Sequence, residues 1–243
     1  MDRIILDQKV ELDKEVLMKG PPLEALRIQG GRVGSLITVT DPEGNDFRGR
    51  ILCFSETEAS ILIFDAFPSP TESSLEIILL QALPEKERME MIIQKATELG
   101  VSAILPFQSE RSISLKEREA KQKKAHRWQQ IAVKAVQQSR RAKVPSIGEC
   151  RPFQGALEDC KDDGLKILLW EKKGEPLKRV VRQHPTRKIY VMVGPEGGFT
   201  EAEVKLAEEK GFIAVKLGQR ILRTETAAIT IVGILQYEFG DLS

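Results

Sequence analysis

The sequence predicts an α/β protein in two parts: a small β-barrel, then a mostly parallel sheet with helices on both faces. Three observations carry that expectation. Short β-like segments separated by turn residues run from Arg3 to about Pro70. From Leu75 onward, apolar strand-like runs alternate with helical patterns. Two strand-to-helix loops, opening at Val193 and at Leu217 and roughly twenty residues apart, are built of small and polar residues. In a parallel sheet such loops lie at the carboxyl ends of the strands, where ligands bind.

In the first part, Ser35–Thr40 reads as a strand, Asp41–Asn45 as a turn cluster, and Phe47–Phe54 and Ala59–Phe64 as two further strands. Strands this short, with no room for long helices, suggest a small barrel over residues 1–70. Phe67–Ser74, rich in proline and serine, is the one linker, and the α/β domain follows over 74–243. Leu75–Ala82 is an apolar strand. Lys86–Leu99 sets Met89, Ile92, Ile93, Ala96 and Leu99 on one helical stripe, with Gly100 just past its end. Val101–Phe107 is a strand, and a long basic helix runs from Lys116 to about Arg141. Leu165–Trp170 and Ile189–Val193 are buried strands. Thr200–Glu203 is a capping box opening a helix that Gly211 ends. Ile213–Leu217 is a strand, and Thr224 is expected to cap the last helix, whose buried face carries Ala228, Ile231, Leu235 and Phe239.

At 243 residues, 41% apolar and 30% charged, the composition is that of an ordinary soluble protein. No run approaches the roughly 18 apolar residues that a membrane span needs, and the first fifteen residues lack a signal-peptide core. The expected location is the cytoplasm. Cys53, Cys150 and Cys160 form no CxxC pair, and His126 and His184 are the only histidines, so no disulfide framework and no metal site are expected.

The net charge of +1 conceals a strong local bias. Between Arg111 and Lys143 eleven basic residues face only Glu117 and Glu119, a local +9. A solvated helix face normally mixes its signs, so the bias favours an anionic partner, nucleic acid first. In the barrel, Arg27, Arg32, Arg48 and Arg50 recur; they either grip phosphates or pair with the abundant carboxylates, and the sequence leaves both open.

Gly194, Gly197 and Gly198 let the backbone approach a ligand and permit positive φ. Neither GxxxxGK[ST] nor GxGxxG occurs, and Glu196 would repel phosphate, so a ligand with a ring, hydroxyls and a positive centre fits better than a nucleoside triphosphate. In the second loop, Glu225 at a helix start is favoured by the macrodipole, whereas Arg223 opposes it and calls for an anionic or carbonyl partner.

GPEGGFTEAE from Gly194 and LGQRILRTETAAI from Leu217 resemble the RsmE family of the SPOUT (trefoil-knot) superfamily. Ile93–Val101, Ser109–Ser112, Gln138–Arg141 and the closing Phe239–Leu242 extend the resemblance over nearly the whole chain. It implies an S-adenosylmethionine-dependent methyltransferase acting on N3 of a uridine in 16S (small-subunit) ribosomal RNA, within the 30S subunit. It further implies a knotted carboxyl-terminal domain, a PUA-like RNA-binding barrel and a homodimer. The cofactor would lie among three segments: Leu169, Trp170 and Glu171; Val193, Gly194, Pro195, Glu196, Gly197 and Gly198; and Leu217, Gly218, Ile221, Leu222, Arg223, Thr224 and Ala227. Arg27, Arg32, Arg111, Gln138, Arg140 and Arg141 would meet RNA.

On that reading the N3 proton of uracil must be removed or the resulting anion stabilised. Arg223 is expected to stabilise the anion and Glu225 to act as base. Two rivals share these loops: a knotted methyltransferase for another RNA position, such as a tRNA ribose, and a catalytically idle RNA-binding assembly factor.

Overall fold

The computed structural model describes residues 3–67, 72–112, 126–161 and 163–242. The chain forms two compact units: Met1–Glu72 with Val136–Lys143, and Ser73–Ala135 with Val144–Ser243. Half of the expected linker, residues 68–71, lies outside the described residues.

The first unit holds strands β1 (Arg3–Ile5), β2 (Glu15–Met18), β3 (Leu36–Thr40), β4 (Asp46–Phe54) and β5 (Ala59–Ala66), with helix α1 (Pro21–Ile28) between β2 and β3. The sheet order is β1-β3-β4-β5-β2, antiparallel except for the β1–β3 pair. Irregular pairing at Arg48/Gly49 and Ile51/Cys53 interrupts the β4–β5 ladder, the device by which a strand bends to curl a sheet. Ile4, Leu26, Val39, Ile51, Ile61 and Ile63 fill the core. Helix α1 is not among the elements expected from the sequence, although Pro21 and Pro22 at its start are a helix-opening signal.

Residues 136–143 belong to this unit, and Glu72 fastens them. Its carboxylate accepts from Arg141 Nη2 at 2.8 Å and from the amides of Ala142 at 2.8 Å and Lys143 at 2.9 Å. Arg141 is only 5% exposed. Arg141, expected to meet RNA, thus has its guanidinium buried and paired with Glu72.

The second unit is a parallel sheet. Its strands are β6 (Glu76–Ala82), β7 (Ala103–Gln108), β8 (Ser146–Ile147), β9 (Arg151–Pro152), β10 (Leu165–Leu169), β11 (Glu175–Pro176), β12 (Lys188–Val193) and β13 (Ile213–Lys216). They run β11-β13-β10-β12-β6-β7-β8, with β9 also pairing β7. The helices are α2 (Lys86–Glu98), α3 (His126–Ser139, whose residues from Val136 on count with the first unit), α4 (Phe153–Glu158), α5 (Leu177–Gln183), α6 (Glu201–Glu209) and α7 (Thr224–Phe239). Of the expected basic helix, Lys116, Arg118, Lys121, Lys123 and Lys124 lie outside the described residues.

Both faces of this sheet are covered, which is why its strands are apolar without alternation. Ile77, Leu79, Ile189 and Val191 pack with α2, α5 and α7, while Ile78, Leu80, Tyr190 and Met192 pack with α4 and α6. The topology places β13, β10, β12 and β6 side by side and parallel, so the loops that leave them open on one edge.

Candidate active site

The glycine turn follows β12 directly. Gly198 N–H donates to Pro195 O at 3.0 Å, and Gly198 takes φ +67°, a left-handed conformation that glycine adopts without strain. Phe199 then plunges into the core at 1% exposure, stacked parallel on Phe107 with ring centroids 6.3 Å apart. A side chain at Gly194 would meet the Phe199 ring at 3.1 Å, so the turn rests directly on that anchor. Thr200 opens α6 with the expected capping box: Glu203 N–H donates to Thr200 Oγ1 at 3.3 Å, and Glu203 Oε2 accepts from Thr200 N–H at 2.9 Å.

The second loop departs from expectation in one detail. Arg223, not Thr224, is the N-cap of α7, and no side chain caps the helix. Thr224 is its first helical residue, and its hydroxyl is used elsewhere: it donates to Gly194 O at 2.6 Å and accepts from Gln81 Nε2 at 3.1 Å. One buried threonine thus ties the start of α7 to the glycine turn and to the end of β6.

Charge is arranged around Arg88, in the first turn of α2. Its Nη1 donates to Glu196 Oε1 at 2.7 Å, and Glu85 N–H donates to the same oxygen at 3.0 Å. Glu85 Oε2 lies 3.6 Å from Arg88 Nη2, and Glu225 Oε2 lies 3.9 Å from Arg88 Nε. Burial works against the Arg88 charge, but Glu196, then Glu85 and Glu225, outweigh it and hold the guanidinium above its ordinary range. Glu196, expected to repel phosphate, is thereby ion-paired with Arg88. Arg111 Nη1 donates to Gly197 O at 2.8 Å, and a Cβ at Gly197 would meet Arg111 at 3.1 Å. That glycine makes room for Arg111. Arg223 is exposed, and its guanidinium has no hydrogen-bond or ion-pair partner among the described residues.

These segments enclose a cleft of about 540 Å³, inside the range of roughly 300–1,000 Å³ for small-molecule sites. All sixteen residues expected to hold the cofactor line it, in the three segments 169–171, 193–198 and 217–227. Arg88, Phe199, Val215, Lys216 and Arg220 line it as well and are missed by the sequence reading. For Arg88 a signal exists: a cation in the first turn of a helix opposes the dipole, the argument that marks Arg223. Of the expected catalytic pair, Arg223 lines the cleft and Glu225 does not. Glu225 is 13% exposed, with Oε2 buried and without a hydrogen-bond donor.

Of the residues expected to meet RNA, Arg111 sits beside the glycine turn, and Arg32, Gln138 and Arg140 are exposed. Arg27 is exposed and donates to the backbone carbonyls of Ser55 and Glu56. Among the described residues there is no cluster of metal-ligating side chains, and no helix is long and apolar enough to cross a membrane.

A parallel sheet with a glycine-lined cleft over adjacent strand ends defines a small-molecule-binding α/β domain, and comparison with known proteins gives its class. The family described as the RNA methyltransferase domain matches residues 71–236, more than half of the chain. The ribosomal RNA small subunit methyltransferase E of Bacillus subtilis is 34% identical over 212 residues, covering 84% of this chain and 82% of that protein. The protein of the same name from Mesomycoplasma hyopneumoniae is 35% identical over 170 residues, covering 70% of this chain and 73% of its own. The crystal structure of a ribosomal RNA small subunit methyltransferase E from Neisseria gonorrhoeae bound to S-adenosyl methionine superposes with a TM-score of 0.79, at 34% identity and full coverage of both chains. This chain belongs to the RNA methyltransferase family and, within it, to the ribosomal RNA small subunit methyltransferase E (RsmE) group.

Proposed function

We propose that this chain transfers the methyl group of S-adenosylmethionine to N3 of one uridine in small-subunit ribosomal RNA. It works as a cytoplasmic homodimer, with RNA in the 30S subunit as substrate. The observation that carries the reading is Arg223: an unpaired guanidinium among the described residues, at the start of α7, on the wall of a glycine-lined cleft. The family membership and the cofactor bound to the Neisseria relative support it.

The cleft fits the cofactor. The backbone of 194–198 is open to it, and Leu169, Leu217, Ile221 and Leu222 offer apolar walls. Glu171 stands over the turn, with Oε1 3.5 Å from where a Cβ on Gly198 would lie, an anionic edge suited to a cationic ligand. When bound, S-adenosylmethionine supplies an electrophilic methyl group, and the reaction needs no metal.

The chain's own residues then have three tasks. The cleft fixes the approach of N3 to the methyl carbon, which removes much of the entropic barrier. Arg223 donates to the uracil oxygens flanking N3, on which negative charge gathers as the proton leaves. Glu225, with one carboxylate oxygen lacking any donor, takes that proton through one bridging water, since its carboxylate is off the cleft wall. Arg27, Arg32, Gln138 and Arg140 offer exposed polar groups to the RNA, and Arg111 serves beside the turn. The test is transfer of labelled methyl groups from S-adenosylmethionine to purified 30S subunits. Label in the small-subunit RNA is expected; label only in tRNA, or none while the cofactor binds, would favour one of the rivals.

A further inference from the structure

Arg88 lies in the first turn of α2, where a cation opposes the helix dipole. It is kept there by carboxylates from three segments: the entry to α2, the glycine turn and the first turn of α7. The contacts are unequal. Only that to Glu196, at 2.7 Å, is a hydrogen bond; those to Glu85 and Glu225, at 3.6 and 3.9 Å, are longer than one. Arg88 is also the cation that faces the buried, donor-free Oε2 of Glu225. A buried carboxylate oxygen without a donor weakens the fold, so this arrangement points to a task outside folding.

Resting on the reading above, we propose that Arg88 is a positioning residue for methyl transfer. Through Nη1 it locks the glycine turn by way of Glu196, and through Nε it holds the carboxylate of Glu225. Two loops that meet only at the cleft thereby keep one geometry, cofactor cradle on one side and proton acceptor on the other. Without Arg88, Glu196 and Glu225 lose the cation between them, and Glu225 loses the ion pair that holds its carboxylate. The cradle itself persists, because Thr224 Oγ1 still holds Gly194 O and Arg111 still holds Gly197 O. Arg88 therefore governs transfer more than cofactor affinity.

The test combines Arg88→Met, of similar length without charge, with Arg88→Lys, which keeps the charge but loses the fork. Calorimetry reads S-adenosylmethionine affinity, and single-turnover assays on 30S subunits read transfer. Arg88→Met should bind the cofactor within about threefold of wild type yet transfer about 10²-fold more slowly, the scale of a misplacement near 1 Å. Arg88→Lys should recover part of that rate, and it keeps the test alive if Arg88→Met fails to fold. Arg88→Met combined with Glu225→Gln should lose clearly less than the product of the two single losses, because the two changes share the Glu225 carboxylate. Multiplicative losses in the pair, an unchanged rate in Arg88→Met, or affinity and rate falling together would each overturn the proposal. A wild type that binds the cofactor but methylates no small-subunit RNA would instead overturn the function proposed above.

Discussion

Replacing Thr224 with valine tests how the two cleft loops are joined. Valine matches threonine in shape, so the change removes the hydroxyl alone. Two hydrogen bonds go with it, to Gly194 O at 2.6 Å and from Gln81 Nε2 at 3.1 Å. Thr224 is 5% exposed, so water does not readily replace them. At about 0.5–1.5 kcal/mol each, the expected loss is about 2 kcal/mol. Gln81 keeps its bond to Ala82 O, but its Oε1 already lacks a partner, so it gains nothing by turning. Because the Gly194 carbonyl ends the strand that carries the glycine turn, loosening it should also weaken S-adenosylmethionine binding by about tenfold, or about 1.4 kcal/mol. Urea denaturation reads the first quantity and calorimetry the second. Thr224→Ser retains the hydroxyl and should restore affinity. A Thr224→Val protein that loses stability while binding the cofactor normally would refute the idea that this hydroxyl shapes the cleft.

Three further outcomes follow from the site. Arg223→Lys keeps the charge but loses the two-pronged donor, and single-turnover transfer should slow by roughly 10²-fold, with cofactor affinity nearly unchanged in calorimetry. Glu225→Gln should also slow transfer, and raising the pH should recover much of its rate by ionising uracil directly, whereas Arg223→Lys should show no such rescue in the same alkaline series. Arg140 and Arg141, adjacent in sequence, should behave oppositely: Arg140→Ala should flatten the salt dependence of RNA binding by about one unit of slope. Arg141→Ala should leave that slope alone and destabilise the protein by about 1.5–3 kcal/mol in urea melts, since Glu72 loses its charged donor and keeps only the amides of Ala142 and Lys143.

What the sequence makes legible is local. The strands of the parallel sheet stand out because both faces are buried, and the capping box at Thr200 because its partner is three residues away. Two of the three loops that line the cleft are legible as well, as turns of small and polar residues after apolar strands, whereas the third, 169–171, follows from the family resemblance alone. What stays hidden is pairing at long range. Nothing around Thr224 announces that its hydroxyl serves Gly194 and Gln81, the latter 143 positions away, so a capping role is the natural local reading. The burial of Arg141 depends on Glu72, 69 positions away, and in a run of basic residues it looks like one more surface charge. Helix α4, six residues long, and α5, seven, fall below the length at which helical periodicity stands out, even with Leu177, Val180 and Val181 spaced on one face.

The central claim is that the cleft methylates N3 of a uridine in small-subunit RNA. Its most direct test is mass-spectrometric mapping of 30S RNA from cells lacking this protein, before and after treatment with the purified chain and S-adenosylmethionine. One added methyl group is expected, at a single uridine, on the base and at N3, and none with Arg223→Ala. A methyl group found on a ribose, on another base, or at no position while the cofactor binds would contradict it.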